Sequence, residues 1–188
     1  RLYKIFNKNL KLEKLTNIYE IFEKPLIEIL AFMEIEGIKI DSKSLKELSV
    51  KFGKKINNLE KEIFKLSKKE FNIGSPKQLG EIIYNELKIA GLKRTKKGSF
   101  ATSASVLEDL AFKGNKFPKL ILDWRQVSKL KNTYSDSLPE HINIKTKRIH
   151  TSFLLAATTT GRLASSDPNL QNIPIKSEDG KNIRKAFV

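Results

Sequence analysis

The sequence predicts a mostly α-helical protein with a small β part, an α+β fold in which helices come first and strands follow. Up to about Ser137, apolar residues recur at steps of three and four, the period of an amphipathic helix. After Pro139 the period changes to two, and residues 141–156 alternate as a strand does. We therefore expect a helical lobe with long antiparallel helices, followed by the beginning of a β-rich lobe.

Two helices are predicted before residue 70. The segment 17–36 is amphipathic, Pro25 should kink it or mark its real start, and Gly37 ends it. Asp41 is a good N-cap for a longer helix whose apolar stripe runs six turns, while Lys residues cover its other faces. That second helix should have one packed stripe and one solvated face. The apolar stripe of the first helix consists of Ile18, Ile21, Phe22, Leu26, Ile29, Leu30 and Met33.

Capping signals place the next helices. The sequence Ser75-Pro76-Lys77-Gln78 is a capping box with Pro at the first helical position, which predicts a helix over 76–90. The amides at its start could instead receive a phosphate. Residues 91–102 contain four cations, no acid and no apolar period, which predicts a mobile basic loop.

Two further helices and several turns are predicted after this loop. Ser103 caps a short helix, and Pro118 opens another that continues to about Ser137. Trp124 belongs to the buried stripe of that helix, and a base-stacking role is the alternative. A hairpin is expected to turn at residues 145–147, and Asp179-Gly180 marks a further turn.

Composition limits the classes of function. The net charge is +15, with 39% apolar and 30% charged residues. Such a basic protein can attract nucleic acid through phosphate neutralisation, although Lys enrichment from biased composition would give the same charge. The sequence contains no Cys, no signal peptide and no apolar run approaching a membrane span. We expect no membrane partner and a cytoplasmic location, and the start at Arg1 suggests a piece of something longer.

The segment Thr158–Pro174, TTTGRLASSDPNLQNIP, is the most unusual stretch of the chain. It has many hydroxyl and amide side chains, a single Arg, and neither a helical nor a strand period. Ordered polar loops often carry binding groups, because irregular backbone on a rigid scaffold can present them. A polar surface loop without a ligand is the alternative from chemistry alone.

This segment resembles the TGRLSSxDPNLQNIP motif of family A DNA polymerases. Further segments resemble the family in the same order and at similar spacings: EKPLIEILAFMEIEGIKID, FNIGSPKQL, ATSASVLEDL, WRQVSKLKNTYSDSLP, IHTSFLLAATTTGRLASSDPNLQNIP and IRKAFV. The chain departs from the family at Ala164, where Ser is usual, and at Leu154-Leu155, where polar residues are common. The second departure suggests apolar packing of that strand.

The resemblance implies a division into domains and a function. It implies that 1–16 is a linker from an exonuclease-like domain and that 17–40 is the helix leading into the polymerase domain on the palm side. Residues 41–140 would be the thumb, and 141–188 the N-terminal part of the palm, truncated before the catalytic strand. The parent protein would be a DNA-directed DNA polymerase of replication and repair, nucleoid-associated in the cytoplasm, while an organellar location stays open.

The resemblance also implies the positions that contact DNA. Thumb side chains would bind the sugar–phosphate backbone of primer–template duplex, which fixes position without reading bases. Arg162 would reach the minor-groove acceptors that every base pair offers at nearly one place. Asp167-Pro168 is expected to form a turn. The implied DNA-binding residues are Ser75, Thr102, Ser103, Arg125, Lys129, Asn132, Thr133, Arg162, Asn169, Gln171 and Asn172.

No catalytic residue is expected in this chain. The family motifs DYSQIELR, VHDE and RRxxKxxxFGxxYG, which hold the metal ions and the nucleotide, are not in the sequence. We therefore expect no metal here and no polymerisation by the chain alone, although the parent would use Mg²⁺. His141 and His150 are a weak metal pair, and His150 should pack or bond locally.

Two other classes of function compete with this reading. One is a non-catalytic, Lys-rich helical domain that binds nucleic acid through charge alone. The other is a protein–protein module, in which the apolar stripes would be only partly buried. An incomplete sheet would also leave edges and apolar faces, such as Phe153 and Leu155, that favour self-association or disorder.

Overall fold

The computed structural model describes residues 1–89, 94–95 and 98–188, and it is mostly helical with two small antiparallel sheets. The predicted fold class is therefore confirmed. The helices are α1 (Leu2–Leu12), α2 (Thr16–Ile18), α3 (Lys24–Glu36), α4 (Ser42–Ser67), α5 (Pro76–Glu81), α6 (Ala104–Phe112), α7 (Lys116–Leu130), α8 (Ser137–Glu140) and α9 (Glu178–Arg184). Three π-helical segments, Tyr19–Glu23, Ile82–Glu86 and Lys131–Asp136, continue α2, α5 and α7. The strands are β1 (Ile38–Lys39), β2 (Arg148–Ile149), β3 (Ser152–Leu154) and β4 (Ala164–Ser166).

The chain divides into two compact units. Unit 1 combines Arg1–Ser42 with Leu138–Val188, and unit 2 is the continuous segment Lys43–Ser137. The sequence-based division places its boundaries at 41 and 141, so unit 1 contains both the segment 17–40 and the segment 141–188. Within the described residues, no helix combines the length and the apolar character that crossing a membrane requires.

Unit 2 has a continuous apolar core. Its long helix α4 buries Phe52 and Ile63 completely and leaves its Lys residues exposed, as the sequence predicts. Helix α6 packs against α7, and three aromatic rings follow one another beside the core, with Phe64 edge-on to Phe71. The core cluster consists of Ile63, Ile73, Leu79, Ile82, Ile83, Tyr84, Val106, Leu107, Leu110, Phe117, Leu120 and Ile121.

The helix that starts at Pro76 is shorter than predicted. It runs as α5 to Glu81 and as a π-helical segment to Glu86. Five of the twelve residues of the predicted basic loop, 91–93 and 96–97, lie outside the described residues, as does Ala90. Of its described part, Arg94 and Phe100 form an antiparallel bridge, and the Arg94 guanidinium lies 4.9 Å from the centre of the Phe100 ring.

The two sheets of unit 1 join distant parts of the chain. Ile38 pairs with Ile149 and Lys39 with Arg148 in the β1–β2 sheet, while β3 pairs with β4. Gly37 leads into β1 with φ of +65°, and a Cβ there would lie 2.7 Å from the Ile149 carbonyl oxygen. Gly37 therefore permits both the left-handed turn and the close approach of β2.

Three sequence-based predictions about unit 1 are wrong in detail. The predicted hairpin at 145–147 does turn there, but Ile142–Ile149 is an isolated bridge and β2 takes β1 as its partner instead. Asp179-Gly180 is not a turn; it lies in the first turn of α9, because the Ser177 hydroxyl accepts the Gly180 amide at 3.1 Å.

The apolar stripe of the segment 17–36 is the third difference. Only Leu30 is buried there, while Ile21 and Phe22 are 63% and 62% exposed. The segment is also not one continuous α-helix. A π-helical segment precedes α3, and Pro25 lies in the first turn of α3, which agrees with the predicted alternative that Pro25 marks the start of the helix. The spacing of the apolar residues thus predicts that this segment is helical, but it does not predict whether those residues are buried.

Candidate nucleic-acid interface

Unit 2 contains a cleft of about 980 Å³ beside the second half of α7. Of the seven positions that the resemblance implies in this unit, five line the cleft and two do not. Those that line it are Thr102, Ser103, Arg125, Lys129 and Asn132. The structure therefore brings most of the predicted thumb residues to one surface.

Helix α7 presents two of its cations, Arg125 and Lys129, to the cleft because of their spacing. Arg125, Lys129 and Asn132 follow one another at steps of four and three, so they share one face of the helix. The stripe that includes Ile121 and Leu130 is buried in the core and fixes the rotation of the helix. The amphipathic pattern of α7 thus determines which residues reach the cleft.

Arg125 joins α7 to the start of α6. Its Nη1 donates a hydrogen bond to the Thr102 carbonyl oxygen at 2.6 Å, and Thr102 itself is buried. Burial lowers the pKa of Arg125, although a guanidinium stays charged across physiological pH. A guanidinium has five N–H donors, so one bond to Thr102 leaves others for an anion.

The start of α6 also borders the cleft. Ser103 is the N-cap residue in an extended conformation, but its hydroxyl bonds to the Ser105 hydroxyl at 3.2 Å and caps no amide. The first-turn amides of α6 therefore receive no side-chain cap from Ser103, at the end of the helix that carries partial positive charge. Together with the two cations of α7, this makes the cleft electropositive.

Ser75 and Thr133 do not line the cleft. The Ser75 hydroxyl accepts a hydrogen bond from the Gln78 amide at 3.5 Å. Ser75 therefore caps α5, as expected if the motif acts as a helix cap. The Gln78 side chain returns to the amide of Asn72, at 2.7 Å, rather than to that of Ser75. Thr133 is exposed within the π-helical segment that follows α7.

Trp124, Ser128 and Phe100 are among the cleft residues that were not predicted as binding groups. Trp124 is half-buried, and its Nε1 donates to the Glu60 carboxylate at 3.0 Å, so it combines a packing role with a place in the cleft wall. The Ser128 hydroxyl oxygen is buried and has no hydrogen-bond partner among the described residues. Its position three residues after Arg125 was the available signal. Phe100 gave no such signal, because it ends the irregular basic segment.

A second cleft, of about 600 Å³, lies in unit 1. Gln171 lines it together with Arg184, which the prediction missed although it lies in the IRKAFV motif. Arg162, Asn169 and Asn172 do not line it. Arg162 is exposed and forms no ion pair within the part of the chain that the structure describes.

Many polar groups of the segment 158–174 are used by the segment itself. The Thr158 hydroxyl donates to the Arg162 carbonyl at 2.8 Å, and the buried Ser165 hydroxyl accepts the Leu170 amide at 2.9 Å. Asn169 Oδ1 accepts the Gln171 amide at 2.9 Å. The polar composition is therefore explained in part by internal hydrogen bonds, while the side chains of Arg162 and Gln171 are among those exposed to a partner.

Asp167 and Pro168 lie in a tight turn of this segment. Their peptide bond is cis, and Asp167 has φ of +55°. The Thr151 hydroxyl lies 2.8 Å from the Pro168 carbonyl oxygen and 3.0 Å from that of Ser166. The predicted turn is confirmed, and Thr151, the residue just before β3, holds it through these contacts.

Metal ligands are the last candidate groups. Both ring nitrogens of His150 are engaged, with the Glu34 carbonyl at 2.7 Å and the Thr146 hydroxyl at 2.6 Å, which agrees with local bonding. In residues 1–89, 94–95 and 98–188, no three His, Asp or Glu side chains form a group that could hold a metal ion. The Mg²⁺ that the resemblance implies for the parent protein therefore finds no ligand set among these residues.

Comparison with known proteins identifies the class. A family model described as DNA polymerase family A matches residues 42–188. Because this match covers more than half of the chain, the chain belongs to DNA polymerase family A, a family of nucleotidyltransferases. The family resemblance of the sequence motifs is thereby confirmed.

The similar proteins are DNA polymerases I. That of Rhizobium leguminosarum is 50% identical over 188 residues, which are 100% of this chain and 18% of that protein. That of Pseudomonas aeruginosa is 46% identical over 181 residues, 95% of this chain and 20% of its own length. The thermostable enzyme of Thermus thermophilus is 45% identical over 177 residues, 94% and 21% of the two lengths. The chain thus spans about a fifth of these relatives.

A solved structure is similar over almost the whole chain. It is the polymerase domain of Pol1 from M. smegmatis in complex with DNA primer–template and dNTP. The TM-score is 0.87 at 37% sequence identity, covering 97% of this chain and 32% of that one. The helical and β parts described above are therefore those of part of a family A polymerase domain.

Proposed function

We propose that this chain is the primer–template-gripping part of a DNA-directed DNA polymerase of replication and repair. Unit 2 would act as the thumb and bind the sugar–phosphate backbone through the cleft beside α7. The clustering of Arg125, Lys129, Asn132 and the start of α6 in one cleft carries this proposal. The DNA bound by the similar Pol1 domain supports it.

The chemistry of the cleft suits a phosphate backbone. Its walls offer two cations, hydroxyl and amide groups and the positive end of a helix, all of which bind phosphate oxygens. Such contacts position a duplex without reading its sequence, which is what a polymerase requires. The apolar part of the wall, including Trp124 and Phe100, would face the sugars.

In unit 1 the proposal assigns the minor groove to exposed polar side chains. Arg162 is exposed without an ion pair among the described residues, so its guanidinium is available to the acceptors at the primer terminus. Gln171, Asn169 and Asn172 would add contacts to the minor groove and the template strand. Arg184 joins this set because it lines a cleft with Gln171.

Binding by matched variants across a salt series tests the proposal. Lys129 lines the cleft, whereas Lys119 is exposed on the same helix outside it. Both Lys→Ala changes remove one charge, but only Lys129→Ala removes a phosphate contact. It should therefore lower the slope of log affinity against log salt by about 0.9, and Lys119→Ala should change it far less. The affinity is read from anisotropy of labelled recessed primer–template, single-stranded DNA and blunt duplex.

The same assay separates a primer–template grip from a Lys-rich domain that binds nucleic acid through charge alone. A grip predicts preference for the recessed junction, and loss of part of that preference in Arg162→Ala. Equal binding of all three DNA forms, with Lys129→Ala and Lys119→Ala alike, would instead establish the alternative, a Lys-rich domain that binds nucleic acid through charge alone.

Two further parts of the proposal concern the chain on its own. It should extend no primer when Mg²⁺ and dNTPs are added, because DYSQIELR, VHDE and RRxxKxxxFGxxYG are not in its sequence; any extension by the pure chain refutes this.

The chain should also self-associate through the β3–β4 region, where Leu154 is 46% exposed. Sedimentation velocity showing only monomer at high concentration would refute the second part.

A further inference from the structure

A carboxylate ties the end of α7 to α4. Asp136 is the last residue of the π-helical segment Lys131–Asp136, and its Oδ1 accepts the Ser49 hydroxyl of α4 at 2.6 Å. Its Oδ2 accepts a hydrogen bond from Lys131 Nζ, also at 2.6 Å. Burial acts to raise the pKa of Asp136, but the hydrogen bonds from Lys131 and Ser49 outweigh it, so that the pKa lies below its usual value.

Lys131 continues this connection along α4. A Cβ added at Gly53, one turn after Ser49, would lie 3.6 Å from Lys131 Cε, so the Lys131 side chain runs beside α4 between these two positions. The Ser135 hydroxyl donates to the Lys131 carbonyl at 3.0 Å and is buried. Both ends of the π-helical segment are thus fixed to each other and to α4.

The residues between these ends are those that the proposed grip uses. Asn132 and Thr133 are exposed within the segment, and Asn132 lines the cleft. A π-helical turn has one residue more than an α-helical turn, so it shifts the faces to which following side chains point. The direction of Asn132 and Thr133 therefore depends on this turn keeping its shape.

The negative charge of Asp136 argues against direct contact of this side chain with DNA. A carboxylate near phosphates repels them, and here it also neutralises a cation of a strongly basic chain. Its geometry, with hydrogen bonds to two different elements, is that of a fixed support. The hydrogen bonds of Asp136, rather than its charge, would therefore support the cleft.

We propose that Asp136 is a positioning residue for DNA binding, which holds the π-helical segment against α4 so that Asn132 and Thr133 face the phosphate backbone. This inference rests on the proposed function of unit 2. It separates the cations of this region into two kinds, since Lys129 would bind phosphate while Lys131 would hold the segment.

The test compares two substitutions that change the charge equally. Asp136→Asn and Asp123→Asn each add one unit of positive charge. Asp123 is half-exposed in α7, the helix that the π-helical segment continues, and has no hydrogen bond or ion pair among the described residues. If charge alone matters, both variants bind primer–template more tightly with a steeper salt slope. If Asp136 positions the segment, Asp136→Asn binds about 5- to 10-fold more weakly despite its added charge, because one or two phosphate contacts are lost.

Two more variants separate positioning from folding. Ser49→Ala changes no charge and removes only the α4 anchor, so it should weaken binding in the same direction by a smaller factor. Ile63→Val lowers stability in the core away from the cleft. When it is compared with Asp136→Asn under conditions where the two variants have equal unfolding midpoints, Ile63→Val should leave the affinity for DNA unchanged. If Asp136→Asn does not fold, Ser49→Ala alone decides, and wild-type affinity in that variant overturns the inference.

The outcomes also distinguish this inference from the proposed function. When the wild type prefers recessed primer–template and the salt slope of Lys129→Ala differs from that of Lys119→Ala, the proposed function is supported. In that case, equal affinities of Asp136→Asn and Asp123→Asn overturn the positioning role alone. If the wild type shows no preference and the two Lys variants agree, the proposed function itself fails.

Discussion

The same substitution at two helical glycines should change stability in opposite directions. Gly53 lies in α4 and Gly80 in α5, and in an ordinary helix either Gly→Ala change stabilises by up to about 1 kcal/mol. Among the described residues, the new Cβ at Gly53 would meet only Lys131 Cε, at 3.6 Å, which is ordinary contact. Gly53→Ala should therefore raise the free energy of unfolding by about 0.5–1 kcal/mol.

At Gly80 the surroundings reverse the sign. The new Cβ would lie 2.5 Å from Phe100 Cβ and 3.1 Å from its Cδ2. The Phe100 Cβ is attached to backbone, so relief requires a shift of the segment rather than a change of rotamer. Overpacking of this kind costs about 1–3 kcal/mol, and the upper end applies here. After the helical gain of about 1 kcal/mol, Gly80→Ala should destabilise by about 2 kcal/mol.

Thermal unfolding followed by far-UV circular dichroism measures the difference. The two variants should differ by about 2.5–3 kcal/mol, which for a chain of this size corresponds to roughly 5–12 °C between their Tm values. Gly80→Ala should also weaken DNA binding, because Phe100 lines the cleft. A Gly80→Ala variant as stable as Gly53→Ala would show that the close packing of Phe100 on α5 is wrong.

Three further predictions concern single side chains. The folded-state pKa of Asp136 is lowered, so its stabilisation should be complete above its unfolded pKa of about 3.9 and be lost as pH falls through the folded pKa. The urea midpoints of wild type and Asp136→Asn should therefore differ at about pH 7 and converge as the pH falls below the unfolded pKa and through the folded one. Trp124→Phe removes the donor to Glu60 and should lower the free energy of unfolding by about 1.5–3 kcal/mol, whereas an unchanged urea midpoint would show that this bond contributes nothing. Ser177→Ala removes the cap of α9 and should cost about 1 kcal/mol, while Ser177→Asp should retain most of it, and equal midpoints for the two variants would contradict a capping role.

The helices that sequence predicted well are those whose signals are local. Six turns of apolar steps after Asp41 describe α4, and the stripe through Ile121 describes α7. Caps are local too, since Ser75 does bond to the Gln78 amide. Period and capping depend on residues within one or two turns, which a single sequence contains in full.

The errors concern partners that lie far along the chain. Nothing in the segment 145–153 indicates that β2 pairs with β1, because strand pairing depends on the rest of the fold. The apolar stripe around Ile21 and Phe22 has the helical period whether or not another element covers it. Asp179-Gly180 suggests a turn because Gly is the usual turn residue, but Ser177 supplies a competing N-cap signal that starts α9.

The candidate site could be predicted only where family motifs named the residues. Composition and charge indicated nucleic acid, but they did not distinguish Lys129 from Lys119. Helical spacing would have added Ser128 to the face of Arg125 and Lys129. The connection of Arg125 to Thr102 could not be predicted, because it joins residues that are 23 positions apart, with all of α6 between them.

The two pieces of unit 1 impose an order on synthesis. Gly37 and Arg148, at the two strands of the β1–β2 sheet, are 111 positions apart, and all of unit 2 is made between them. At about 5–20 residues per second, a ribosome needs roughly 6–20 s to deliver the second piece after the first. Unit 2, which is continuous, can fold within that interval. The first piece must wait with β1 unpaired, so a nascent chain is most exposed to chaperones and proteases before Arg148 emerges.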